Sequence, residues 1–271
     1  MSVYRGMDIG TAKPTRAERD EVPYHLLDLV EPSEEFTVAQ FQRAARDAVD
    51  EIWVREADAL FVGGTGLYGR AVLDDLDIPG RYPDVRSALQ ERAMSDLPGL
   101  YRELVERDPL AASRIESSNE RRVVRALEVT LGSGRPFSSF GEGLLTYGPV
   151  RVVQIGLDVP TDILDERIAT RFRAWMDEGL LEEVSTLAAA PRGLSRTARQ
   201  AVGYRELLRH VEDGADLETC VKDAITQSRR LARRQRSWFR RDPRVEWFDN
   251  AAAARQRLDD VLTVSETFVR D

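Results

Sequence analysis

The sequence predicts an α/β protein in which a parallel-sheet core is interrupted by an all-helical insertion. Three observations carry that reading. Residues 25–73 alternate strand, helix, strand, glycine-rich turn and helix, the order of a βαβα unit. Residues 83–134 hold no convincing strand and are dense in charge. Strand character then returns at 150–158 and 246–249. The core is expected over 1–80 and 141–271, and the insertion over 81–140.

The elements follow in order. Residues 1–14, MSVYRGMDIGTAKP, open on the tail of a strand at Val3 and Tyr4, with turns at Gly6 and Gly10. Physics alone favours a mobile terminal arm there. Residues 25–30 (HLLDLV) form a short strand candidate followed by Pro32. Thr37-Val38-Ala39-Gln40 is a capping box, and Val38, Phe41, Ala45, Ala48 and Ile52 recur at helical spacing, predicting an amphipathic helix over 37–56. Residues 59–62 (ALFV) read as a buried parallel strand that stops at Gly63-Gly64. Two glycines let backbone N–H groups approach an anion, and Thr65 adds a hydroxyl where the next helix begins. The turn is either a floor for a phosphorylated ligand or an ordinary strand-to-helix turn.

Helices over 83–95, 98–107, 109–115 and 119–132 are expected in the insertion. In the last, Val123, Leu127, Thr130 and Leu131 share one face, and Arg121, Arg122 and Arg125 lie opposite. That trio is a solvated face or a phosphate-contacting one. After the strand at 150–158, Thr161 is the expected N-cap of a helix over 162–177, with Asp162 and Asp165 in its first turn. Leu164, Ile168, Phe172 and Trp175 make its buried stripe. Arg171 borders the stripe, either facing a cleft or paired with Glu166 or Asp177. Residues 199–206 (RQAVGYRE) lead into a helix over 204–212.

A helix over 223–241 follows, in which Arg229, Arg230, Arg233, Arg234, Arg236, Arg240 and Arg241 crowd together, four of them (229, 233, 236 and 240) on one face. An adjacent polyanion would relieve their repulsion. Trp238 and Phe239 are expected as core anchors, and 250–271 as a terminal helix.

Composition narrows the function. The 271 residues are 42% hydrophobic, enough for a real core. A net charge of -8 excludes a wholly basic polyanion binder and leaves local arginine patches to carry any such role. Cys220 stands alone, and His25 and His210 are the only histidines, so neither a disulfide framework nor a cysteine or histidine metal site is expected. With no membrane-length apolar run and no signal peptide, a soluble, cytoplasmic protein is expected.

Six blocks agree in order and content with one family. VYRGMDIGTAKP, FVGGTGLY, RRVVRALEV, RFRAWMDEGLLEEV, ARQAVGYRE and RRLARRQRSWFRR resemble the tRNA dimethylallyltransferases, or tRNA isopentenyltransferases. The resemblance runs to about residue 250. It implies a P-loop-kinase-like parallel-sheet core and an all-helical insertion domain that grips the tRNA anticodon stem-loop. It implies transfer of a dimethylallyl group from dimethylallyl diphosphate to N6 of adenosine 37 in tRNAs reading codons that begin with U, with Mg²⁺ as cofactor and the protein acting as a monomer.

The resemblance also assigns residues. It places Thr65 and Arg171 in the catalytic centre, with Gly63, Gly64, Thr65 and Arg171 on the diphosphate. It places Ser2 near the flipped base. Arg121, Arg122 and Arg125 would meet tRNA, as would Ala201, Val202, Gly203, Tyr204 and Arg205. The family pattern also includes a G-x-x-x-x-G-K-[ST] loop and an aspartate general base. No such loop occurs in residues 1–271. Both are expected upstream of Met1, roughly 25–40 residues of strand, loop and helix, with a misassigned start codon as the favoured explanation. The chain as given is then expected to be inactive or nearly so. The rival readings are a non-catalytic tRNA-binding remnant, an adenylate isopentenyltransferase acting on free nucleotides and, more distantly, a small-molecule kinase. The helical insertion and its arginines argue against a small acceptor.

Overall fold

The computed structural model describes residues 1–141, 144, 146–148 and 152–268. The elements are α1 (Arg16–Glu21), α2 (Val38–Val54), α3 (Gly66–Leu73), α4 (Pro83–Arg107), α5 (Pro109–Arg114), α6 (Glu120–Ser133), β1 (Gln154–Leu157), α7 (Thr161–Asp177), α8 (Leu180–Ala189), α9 (Arg196–Arg199), α10 (Tyr204–Asp213), α11 (Leu217–Phe239), β2 (Val245–Phe248) and α12 (Ala251–Phe268). The fold is mixed α/β, mostly helical, with a small parallel sheet among the described residues. Among the described residues no helix is long and apolar enough to cross a membrane.

The chain divides into two compact units, Met1–Gly69 with Val150–Asp271, and Arg70–Pro149. In the first, β1 and β2 pair in parallel, Gln154 opposite Val245 and Leu157 opposite Phe248. Gly156 admits the Trp247 ring, since a Cβ there would come within 2.8 Å of it. Phe172 of α7, Leu180 and Val184 of α8, Tyr204 and Leu207 of α10 and Ala224 of α11 are buried in this unit. The capping box at α2 forms as its sequence requires: Thr37 Oγ1 accepts from Gln40 N, and Gln40 Oε1 accepts from Thr37 N.

Several strand expectations are corrected. Residues 25–30 reduce to a single parallel bridge, Tyr4 with Val30. Leu26 and Asp28 have φ of 64° and 54°, which breaks an extended run. Residues 59–62 form no strand: Leu60 is 67% and Val62 84% exposed. No backbone hydrogen bond to residues 58–64 is seen among the described residues, and a strand exists only through its ladder. Phe61 instead meets Phe41 edge-on at 6.2 Å. The strand expected over 150–158 is ordered as β1, with positions 150 and 151 outside the described residues. Likewise 269–271 of the expected terminal helix lie outside them.

The second unit packs Leu89, Leu100 and Leu104 of α4 against Val123, Val124 and Leu127 of α6, with Ala111 and Ala112 of α5. The two helices expected over 83–95 and 98–107 form within α4 and are separated by a kink at Asp96, whose φ of -144° and ψ of 59° are non-helical. Pro98 supplies the cause, because its ring excludes helical geometry nearby. Asp108 caps α5 through Ala111 N at 2.9 Å.

Candidate active site

The glycine turn is held against α11. A Cβ on Gly64 would lie 2.4 Å from Gln235 Nε2, and one on Gly66 1.9 Å from Trp238 Nε1. At Gly63 a Cβ would meet nothing within 4 Å. Gly66 is therefore needed for packing against the rigid Trp238 ring, Gly64 faces the flexible end of Gln235, and Gly63 faces open space. Thr65 O accepts from Tyr68 N and Gly69 N, so the turn runs directly into α3.

The arginine face of α11 does not wait for a polyanion. Arg229 and Arg233 donate to Asp165, with Arg233 Nη2 2.6 Å from Oδ2. Arg240 Nη2 lies 2.6 Å from Asp158 Oδ2, and Arg236 also bonds Asp158, with further bonds to Val159 O and Thr161 Oγ1. The Arg236 bond and then the charge of Arg236 and Arg240 hold the Asp158 carboxyl below the usual range. Thr161 is correspondingly not an N-cap. Pro160 occupies that position without a side-chain cap, and the Thr161 hydroxyl serves Arg236.

Arg171 stands ten residues beyond Thr161, about 15 Å further along α7. Its guanidinium lies 4.9 Å from the Trp175 ring centre, rather than on Glu166 or Asp177. A cavity of about 220 Å³ in this unit is bordered by Arg199, Arg205, Arg209 and Glu212, and one of about 510 Å³ in the second unit by Leu97, Tyr101 and Arg102; neither includes Thr65 or Arg171.

The N-terminal block is not a mobile arm. Val3, Tyr4 and Met7 are buried. Lys13 Nζ donates to Tyr4 O, Asp8 Oδ1 and Asp28 Oδ1, each at 2.6 Å, and its side chain is 1% exposed. Burial would raise the Asp28 pKa, but bonds from Lys13 and Arg19 outweigh it and keep the carboxyl low. Ser2, half-buried, accepts through its carbonyl from Asp28 N at 3.2 Å. Glu183 of α8 accepts from Asp8 N and Ile9 N, both at 2.9 Å, and from the Tyr204 hydroxyl.

In the segment leading to α10, Ala201, Gly203 and Tyr204 are buried and Val202 half-buried. Gly203 sits at φ 94°, and its N–H donates to Glu206 Oε2 at 2.8 Å. Burial and then the Glu183 bond raise the Tyr204 pKa, so the phenol stays protonated. Arg205 is exposed and paired with Glu206.

In the second unit the arginine trio divides. Arg121 and Arg122 are exposed and have no side-chain partner among the described residues. Arg125 turns inward, donating to Gly80 O at 3.0 Å and Pro79 O at 2.9 Å and pairing with Glu128. Sequence reasoning missed Glu128, Glu183 and Asp158, and read Asp165 only as a first-turn acid of α7 rather than as an arginine partner. The signal available for the last two was the unbalanced charge of the arginine helix itself.

Comparison with known proteins came to one result. The family model described as IPP transferase matches residues 2–242. The chain is 47% identical over 255 residues to a tRNA dimethylallyltransferase of Salinispora arenicola, covering 93% of this chain and 74% of that one. It is 41% identical over 267 residues to one of Bifidobacterium animalis subsp. lactis, covering 95% and 76%. The solved full-length tRNA isopentenylpyrophosphate transferase of Bacillus halodurans superposes with a TM-score of 0.67 at 36% identity, over 97% of this chain and 85% of that one.

Proposed function

The chain belongs to the IPP transferase family, and we propose that it moves a dimethylallyl group from dimethylallyl diphosphate to N6 of adenosine 37 in tRNA. The observation that carries this is the 47% identity to a tRNA dimethylallyltransferase across 93% of the chain. A P-loop-kinase-like core, a monomeric state and the diphosphate donor are part of the same proposal.

The chemistry divides the work. The exocyclic amine of adenine is a weak nucleophile, so it must be held in line with the prenyl carbon and its proton removed. The base leaves its stack to reach that carbon. Negative charge grows on the departing diphosphate and needs donors already aimed at it. The open space at Gly63, the Gly64 backbone and the Thr65 hydroxyl supply such a floor. Arg171, exposed and stacked on Trp175, is the proposed cation for diphosphate. Arg121 and Arg122 supply the helical unit's charge for RNA phosphates.

Mg²⁺ would be held chiefly by the diphosphate oxygens. Among the described residues no group of three or more ligating side chains forms a cage for it, and no step here runs through the ion. Residues 1–271 contain no G-x-x-x-x-G-K-[ST]. Labelled dimethylallyl diphosphate offered to tRNA and AMP together tests the reading. Label on tRNA supports it, and label on AMP replaces it with the free-nucleotide reaction.

A further inference from the structure

We propose that Glu183 is a positioning residue for prenyl transfer: its carboxylate fixes the turn at residues 7–13 without touching either substrate. This rests on the proposed function and on the family resemblance, which implies that Ser2, just ahead of this turn, lies near the flipped base.

Three donors converge on this one carboxylate. Asp8 N and Ile9 N both reach Oε2 at 2.9 Å, and the Tyr204 hydroxyl donates to Oε1. Consecutive backbone N–H groups aimed at one anion form a nest, and here the anion comes from the protein itself. Gly10 closes the contact. A Cβ there would stand 2.6 Å from Tyr204 Cε2 and 2.9 Å from Leu180 Cδ1, so the turn lies directly on the ring.

Lys13 clasps the same turn from within, through Tyr4 O, Asp8 and Asp28. Inside the turn Thr11 Oγ1 donates to Met7 O at 2.6 Å, and Ala12 N to Ile9 O at 3.0 Å. The backbone around these clasps is strained. Ala12 stands at φ 51°, and Leu26 and Asp28, on the segment that meets Lys13, at 64° and 54°. Non-glycine residues persist in the left-handed region only where their surroundings over-determine them, and such positions gather at functional sites. Lys13 anchors one side of the strained turn and Glu183 the other. Without the carboxylate, two adjacent amides and a buried phenol lose their acceptor together, and the turn relaxes.

The test compares the full chain with Glu183→Ala, Glu183→Gln and Gly10→Ala. It reads amide exchange at Asp8 and Ile9, together with kcat and KM for an anticodon stem-loop and for dimethylallyl diphosphate. In Glu183→Ala both amides should lose protection, and kcat/KM for the stem-loop should fall on the order of 10- to 100-fold. The KM for dimethylallyl diphosphate should not move. Glu183→Gln, which keeps an acceptor oxygen, should recover part of both losses, and Gly10→Ala should reproduce them. Amides still protected in Glu183→Ala, or loosened amides with stem-loop kinetics unchanged, would overturn the proposal. A parent chain that transfers to no tRNA overturns the proposed function and removes the positioning role with it.

Discussion

Arg125 and Glu128 sit one turn apart in α6 and meet at 2.9 Å, Nη1 to Oε1, with the glutamate side chain only 1% exposed. The same carboxylate accepts from Tyr82 N at 3.0 Å and from Arg86 Nη1 at 2.8 Å. Glu128 thus ties the segment entering the helical unit to that unit's central helix. Removing it strands a part-buried backbone N–H and two half-buried guanidinium groups. Glu128→Ala should destabilise the protein by about 3 kcal/mol or more, read as a lowered urea midpoint.

The sign of its pH dependence follows from the same bonds. Burial would raise the Glu128 pKa, but Tyr82 N, Arg86 and Arg125 outweigh it and hold it below the ordinary value of 4.5. The stabilisation is full above that ordinary value and is lost as the pH falls through the depressed folded value. Glu128→Gln should flatten this part of the acid-unfolding curve; an unchanged curve would assign the acid lability elsewhere.

The arginine trio of α6 should split by experiment as it does in space. Arg121→Gln and Arg122→Gln should each lower the salt dependence of stem-loop binding by about one charge and leave stability alone. Arg125→Gln should cost stability instead, because Pro79 O and Gly80 O lose their donor. Equal effects of all three on binding would mean that Arg125 turns outward on RNA.

What could be read from sequence was local. The Thr37 capping box and the helices of the second unit rest on contacts within a few residues, and periodicity reports those directly. The extended run at 59–62 could not be judged, because an apolar run says nothing about whether a neighbouring strand exists. Arg233 with Asp165 and Arg125 with Pro79 join residues 68 and 46 positions apart, and spacing along one helix is blind to such partners. The glycine turn was legible as a turn, but its seating on Gln235 and Trp238 was not.

Gly63 and Gly66 should separate ligand approach from packing. Gly63→Ala meets no protein atom, so stability should hold within about 0.5 kcal/mol while transfer falls on the order of 10-fold, as the methyl group takes the ligand's space. Gly66→Ala runs into Trp238 and should cost about 1–3 kcal/mol. Full activity in Gly63→Ala would remove the turn from the diphosphate site.

The most direct measurement uses two anticodon stem-loops, one with adenosine at position 37 and one with a purine lacking the N6 amine. Each is incubated with the protein and labelled dimethylallyl diphosphate. The account predicts label on the adenosine stem-loop and none on the other. Label on both, or on neither after prolonged incubation, would contradict it.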